Sequence, residues 1–268
     1  MKIVQQYPDG MFCWIDLATP DIDAAHAFYS GLFGWQPDVQ ALDENYSYTN
    51  FRLDGYTVAG AAQMMPEAIE AGQPPTWTSY VKHSDIEAAA ARAAEAGGAV
   101  LVPPMEIPGQ GHMAVLQDPT GAVFGLWQPM AHTGAQLVNQ PNTLVWNELQ
   151  ARDLDAARAF YGKVFGWSDR IAEGSDYLLW HENGRSHCGG MALGDGWGAD
   201  VPSNWLVYFL ADDVDATAAR AVELGGQVLH GPSEIEGFGR MAVLADPHGA
   251  SFAIIKFVGG ADEPPGSD

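Results

Sequence analysis

Residues 21–35 read DIDAAHAFYSGLFGW, and residues 153–167 read DLDAARAFYGKVFGW. Ten of the fifteen positions are identical, and Trp14 and Trp146 stand the same distance ahead of the two segments. Farther on, AARAAEAGG at 90–98 answers AARAVELGG at 218–226, and QDPTGAVF at 117–124 answers ADPHGASF at 245–252. Self-similarity of this length is the mark of a tandem duplication. The spacing predicts two copies, residues 1–134 and 135–268, with the second somewhat shorter between its helices.

Each copy divides again. Thr19-Pro20-Asp21 reads as a helix start, with Thr19 as N-cap and Pro20 at the first position. Ala25, Phe28, Tyr29 and Leu32 then fall on one apolar stripe, and Gly34 stops the helix. A second helix runs from Asp85, with Ile86, Ala89, Ala90 and Ala93 at the same spacing, and ends at Gly97-Gly98. A strand precedes each helix (MFCWIDLA, TWTSYVKH) and short β segments follow each (YSYTNFRL and VAGAAQM; AVLVPPM, MAVLQD and VFGLWQ). The repeating unit is βαβββ, four times over, in an α+β fold. Linkers fall at 71–76, 128–142 and 194–204, each rich in Gly, Pro, Asn or Gln, and ADEPPGSD ends the chain as a solvated tail.

Composition bounds the partners. The 268 residues are 47% hydrophobic, enough for packed cores, but 12 basic residues face 34 acidic ones, for a net charge of −22. Such a polyanion repels phosphate backbones and anionic lipid, so neither nucleic acid nor membrane is an expected partner. The charge reads mainly as a solubility device, with selection of a cationic ligand as the lesser alternative. No run approaches the roughly 18 apolar residues of a membrane helix, and the N-terminus lacks a signal-peptide core. Cys13 and Cys188 cannot build a disulfide framework or a cysteine zinc site, and each reads as a small buried hydrophobe. A cytoplasmic protein, monomer or homodimer, with a small-molecule ligand is the expectation.

The strand, the D-x-x-x-A-x-x-F-Y-x-x-x-F-G-W helix, the Gly-Gly helix end and the D-P-x-G turn together resemble the vicinal oxygen chelate superfamily. That group includes glyoxalase I, bleomycin-resistance proteins, fosfomycin-modifying enzymes and extradiol dioxygenases. The resemblance spans about residues 10–258 and implies cups whose concave faces hold the ligand, with a metal in the enzymes and none in the resistance proteins. The implied metal-ligand positions fall on Trp14, Thr78 and Gly125 in the first copy and on Trp146, Leu206 and Ala253 in the second. None of the six is His, Cys or carboxylate, so no metal and no other cofactor is expected.

Strand alternation indicates what fills the cups instead. Ile15 and Leu17 must meet the helix, which turns Trp14 and Asp16 to the concave face, and Trp146 and Glu148 follow in the second copy. The acid is thus retained across the duplication. A carboxylate in an aromatic cup suits general acid or base work, but it also suits a structural role as acceptor from neighbouring hydroxyls. The same alternation adds Tyr48, Thr78, Tyr80 and Trp127 to the first cup and Tyr177, Leu206 and Tyr208 to the second, where Ile255 matches Trp127.

The histidines form no family site. His26 reads as solvent-facing and His248 as a surface turn residue, while His112 and Arg240 are equivalent rim cations with a surface role preferred. Glu106 and Glu234 read as solvated. His181 and His187 flank an Asn183-Gly184 hairpin turn, and a metal pair there is a minor alternative. GQG and GFG near residues 110 and 238 lack the strand-to-helix setting of a phosphate loop.

Two functions stay open from the sequence. One is metal-independent binding of a small hydrophobic or aromatic molecule, as in resistance or sequestration proteins. The other is a glyoxalase-like lyase, isomerase or dioxygenase acting on a small carbonyl or aromatic metabolite, with Asp16 and Glu148 as acid-base groups or with a non-standard metal site. A third, vestigial cups on an interaction module, follows from fold alone.

Overall fold

A computed structural model describes residues 3–42, 46–182, 185–194, 196, 198 and 201–258. The Asn183-Gly184 turn, parts of the 194–204 linker and the ADEPPGSD tail lie outside the described residues. The first copy contains β1 (Phe12–Thr19), α1 (Ile22–Phe33), β2 (Gln36–Ala41), β3 (Ser47–Leu53) and β4 (Tyr56–Gln63), then a short α2 (Pro66–Glu70). Its second unit is β5 (Thr76–Lys82), α3 (Ile86–Glu95), β6 (Ala99–Ile107), β7 (Gly111–Gln117) and β8 (Val123–Pro129). The second copy repeats them as β9 (Leu144–Ala151), α4 (Leu154–Phe165), β10 (Ser168–Ile171), β11 (Leu178–Glu182) and β12 (Arg185–Ala192). It finishes with β13 (Asn204–Leu210), α5 (Val214–Glu223), β14 (Gln227–Ile235), β15 (Gly239–Ala245) and β16 (Ser251–Phe257).

The helix starts differ from the reading by sequence in one detail. Asp21, not Thr19, is the N-cap: its carboxylate accepts from the Ala24 N–H at 2.9 Å, and the helix begins at Ile22. Asp85, Asp153 and Asp213 cap their helices in the same way. An Asp cap satisfies an orphan N–H and adds a negative charge at the positive end of the helix. Gly34 and Gly166 close α1 and α4 in the left-handed conformation, which a glycine enters without steric penalty.

Strand order settles how units combine. The first sheet runs β2-β3-β4-β1-β5-β8-β7-β6 and the second β10-β11-β12-β9-β13-β16-β15-β14. Each cup therefore pairs neighbouring units, a point the sequence left open. Crossing between copies happens on the convex side. Ile15 and Leu17 share one core with α1, α5 and the Phe209–Phe252 face of the second sheet. Ala89 and Phe124 share the other with Phe160, Tyr161 and Trp205. The two sheets stand back to back, with the helices between them and the cups facing outward.

The repeated motifs meet in these cores. Trp77 Nε1 donates to Tyr29 Oη at 3.0 Å, and Tyr29 donates to Asp246 of the other copy's D-P-x-G turn at 3.3 Å. Trp205, Tyr161 and Asp118 repeat the relay at 2.7 and 2.9 Å. A Cβ on Gly226 would lie 2.9 Å from the Phe28 ring, and one on Gly98 2.8 Å from Phe160. The F-Y pair, the second helix-end glycine and the D-P-x-G turn are thus the parts of a clasp between copies.

Candidate functional site

β1 and β9 lie at the centre of their sheets, so residues on their concave side form the cup floors. In the first cup Trp14 Nε1 donates to Tyr48 Oη at 3.0 Å. Tyr48 and Tyr80 both donate to Asp16 Oδ2, at 3.2 and 3.3 Å. The second cup repeats the device: Trp146 Nε1 donates to Tyr177 Oη at 2.9 Å, and Tyr177 and Tyr208 donate to the two Glu148 oxygens, each at 2.9 Å. Burial, opposed in part by the tyrosine hydrogen bonds, pushes the Asp16 carboxyl up to about 6. Burial also raises Glu148, against hydrogen bonds from Gln150, Tyr177 and Tyr208. Both carboxylates act back on the tyrosines, whose hydroxyls are pushed well above their ordinary range, first by burial and then by the adjacent negative charge.

Glycines make this arrangement possible. Gly60 pairs with Asp16 across β4–β1, and a Cβ there would overlap the Tyr48 hydroxyl; Gly189 stands in the same relation to Glu148 and Tyr177. Gly189→Ala is expected to displace Tyr177, breaking its bond to Glu148, and to lower stability by about 1–3 kcal/mol in denaturant melts. Gly194→Ala, where the added methyl meets nothing within 4 Å, should change it by less than about 0.5 kcal/mol.

The cups are not equivalent. Residues 130–138, the linker between copies, pack across the Trp14 end of the first cup. The His132 ring meets Trp14 edge-on at 4.3 Å, Trp127 Nε1 donates to the His132 carbonyl at 2.8 Å, and Ala135 N–H donates to the Cys13 carbonyl at 2.8 Å. Trp14 is left 2% exposed, so it lines the cup from beneath the linker and offers no open face. Burial takes the His132 imidazole down to about 4. Trp146 is partly exposed beside Val145, Tyr208 and Val243, and Tyr177 meets Phe238 at 6.1 Å. At the acid the contrast reverses. Gln150 Nε2 donates to Glu148 Oε1 at 3.1 Å and leaves Glu148 5% exposed, whereas Asp16 is partly open to solvent.

Thr78 lies opposite Asp16 and Leu206 opposite Glu148 in the strand register, and Tyr80 lies opposite Gly125. The superfamily's metal needs several N, S or O donors converging on one point. At the six positions the side chains are Trp, Thr, Gly, Trp, Leu and Ala, with one hydroxyl among them. Among the described residues no three His, Cys, Asp or Glu groups gather as a metal site. The residues present do not fit a divalent ion.

Several expectations outside the cups change. His26 is not solvent-facing: its Nε2 lies 2.9 Å from Thr49 Oγ1 and its ring packs edge-on against Phe51. Arg240 keeps the surface role preferred for it, not the rim alternative, in ion pairs on the helix side with Asp215 and Glu234. Glu234 is solvated as expected, and ion-paired as well. His112 lines a cleft of about 480 Å³ with Glu87 and Glu106, also on the helix side. His181 pairs with Ser186 Oγ at 2.8 Å, while His187 turns toward Phe12 and Trp167, where burial lowers it to about 3. Gln150, Gly60, Gly189 and His132 were missed as site residues. Gln150 was legible two positions beyond Glu148 on the same strand face, and an isolated strand glycine signals close approach of another group. His132 carried no signal, because the path of a linker has no periodicity.

Comparison with known proteins adds the following. The description "Glyoxalase/Bleomycin resistance protein/Dioxygenase superfamily" matches residues 12–126, and "Glyoxalase-like domain" matches residues 146–255. CFP32 of Mycobacterium tuberculosis (strain CDC 1551 / Oshkosh), which carries a glyoxylase name, is 42% identical over 255 residues, covering 94% of this chain and 96% of its own. Anthracycline biosynthesis protein DnrV of Streptomyces peucetius is 37% identical over 263 residues, covering 94% of each. The Mn(II)-bound glyoxalase of Novosphingobium aromaticivorans superposes with a TM-score of 0.64 at 16% identity, over 92% of this chain and 82% of that one. The 2,3-dioxygenase LapB of Pseudomonas sp. KL28 does so with 0.63 at 13%, over 98% and 97%. At these identities the two structures speak to fold alone.

Proposed function

The chain belongs to the glyoxalase/bleomycin resistance protein/dioxygenase superfamily, and from that premise we propose that it binds a small aromatic or hydrophobic molecule in its cups without a metal. The observation that carries this reading is the content of the concave faces: Trp, Thr, Leu, Gly and Ala where a metal enzyme needs donors, with tyrosines beside them. The anthracycline-biosynthesis name of one relative is consistent with a planar polycyclic ligand. Two buried, unpaired cysteines support a reducing, cytoplasmic setting.

Acridone, a neutral planar probe whose own fluorescence reports binding, tests it. EDTA-treated protein should raise acridone anisotropy saturably, and Trp146→Ala should weaken the second cup by about 0.5–1.5 kcal/mol, a few-fold to ten-fold in affinity. Absence of saturable binding, or binding that returns only with added Mn(II), Fe(II) or Zn(II), would overturn the reading.

A second reading rests on a different observation. An acid held near 6 by burial, with tyrosine hydroxyls at hydrogen-bonding distance, is poised for proton transfer at neutral pH. On that reading the protein is a lyase, isomerase or dioxygenase acting on a small carbonyl or aromatic metabolite. Asp16 and Glu148 exchange the proton, and Tyr48 and Tyr177 orient them.

A further inference from the structure

The two cups treat their acid differently, and the difference lies in two pairs of residues. In the second cup Gln150 and Met191 are register partners on β9 and β12, and Gln150 supplies Glu148 with a third hydrogen-bond donor. The corresponding register partners in the first cup are Ala18 and Ala62. Two methyl groups therefore stand where the second cup has an amide and a thioether. The notch this leaves lies beside Asp16, and its walls Ala18, Ala62, Thr78 and Tyr48 are all partly exposed. Tyr80 closes the far side, and Tyr46 lies within electrostatic reach of the carboxylate. Among the described residues no Lys, Arg or His acts on the Asp16 carboxyl or pairs with it.

We propose that this notch is the seat of an organic nitrogen cation, an ammonium or a protonated ring amine, whose charge is set against Asp16 with the tyrosines around it and whose apolar body lies in the first cup. A half-buried carboxylate, lacking a basic partner and edged by aromatic rings, favours a cation over a neutral isostere. An ammonium N–H, or the edge of a quaternary ammonium, would occupy the place that Gln150 Nε2 takes in the second cup. The chain's net charge of −22 draws cations toward the surface but does not choose among them; the notch does. The inference rests on the cup-binding reading above and names the class of ligand for its first cup.

The test compares three fluorescent tricycles: cationic 9-aminoacridine, neutral acridone and anionic anthracene-9-carboxylate. Anisotropy titrations at roughly 150 mM salt keep surface charge screened beyond about 8 Å. The parent protein should bind 9-aminoacridine at least about ten-fold tighter than acridone, and anthracene-9-carboxylate weakest. Asp16→Asn should bring the cation and the neutral probe within about two-fold of each other, whereas the surface control Glu87→Gln should retain the preference. Ala18→Gln keeps Asp16 but supplies the internal amide of the second cup, and should also remove the preference. The cation's affinity should rise from pH 5 to pH 8 as Asp16 ionises, with no such rise in Asp16→Asn. Equal binding of acridone and 9-aminoacridine by the parent would overturn the ammonium site and leave the aromatic cup standing. A cation preference that survives both Asp16→Asn and Ala18→Gln would assign it to surface charge and overturn the site as well. Failure of all three probes to bind would overturn the cup reading itself.

Discussion

Phe160→Ala is expected to lower the stability of the whole chain by about 3–5 kcal/mol. The side chain is 1% exposed and lies between Phe124, 6.1 Å away, and the bare backbone of Gly98, both in the other copy. Truncation removes the ring's burial and leaves a void that Gly98, without a side chain, cannot fill. Because the core belongs to both copies, loss should register in both sheets at once. Urea melts followed by tryptophan fluorescence and by far-UV circular dichroism should shift together. Two separated transitions, with one half surviving, would show that the clasp is not what couples the copies. Tyr161→Phe probes the polar half of the same clasp. It leaves the Trp205 indole N–H without its acceptor and Asp118 without one donor, which should cost about 1–3 kcal/mol.

This clasp also explains what was legible in advance. The duplicated motif announced four βαβββ units because helix stripes and strand alternation are local signals, set by residues three, four or two apart. The motif did not say that Phe28 and Phe160 would seat on glycines of the other copy, since nothing local links position 28 to 226. The site divides along the same line. Strand alternation placed Trp14 with Asp16, and Trp146 with Glu148, on the concave faces, and the tyrosines followed from the repeat. The covering of Trp14 by His132 depends on where a linker runs. The emptiness beside Asp16 depends on Ala18 and Ala62 being compared with Gln150 and Met191 across paired strands, a register that only the folded sheet supplies. Thr19 misled because hydroxyl and carboxylate caps look alike in sequence, and the Asp two residues later reaches the N–H groups from a better position.

Asp16→Asn is expected to stabilise the protein at pH 8 and to leave it unchanged or slightly weaker at pH 4. The carboxyl titrates near 6 in the fold against an ordinary value of 3.8, so the folded state holds its proton more tightly than the unfolded chain. Well below 3.8 both states are protonated and the group contributes nothing to the difference, and at pH 4 only a small part of the penalty has developed. As pH rises through the window between 3.8 and 6, the unfolded chain gives up the proton first and gains stability relative to the fold. Above it the penalty is complete: at most about 3 kcal/mol, and about 1–3 once the partial exposure of Asp16 is allowed for. Asparagine keeps the shape and an acceptor for the Tyr48 and Tyr80 hydroxyls but never ionises. Urea melts of parent and variant at pH 4 and pH 8 isolate the effect, because every other carboxylate is common to both. A variant less stable than the parent at pH 8 would mean that the tyrosine hydrogen bonds outweigh desolvation and that the acid serves the fold. The predicted sign has the opposite consequence. An acid that weakens the protein at neutral pH, in a cup that could hold an amide in its place, does not serve the fold there, which is what the proposed ammonium site requires. An ammonium seated on it would stabilise the carboxylate, draw its titration back toward 3.8 and release a proton on binding near pH 5 to 6.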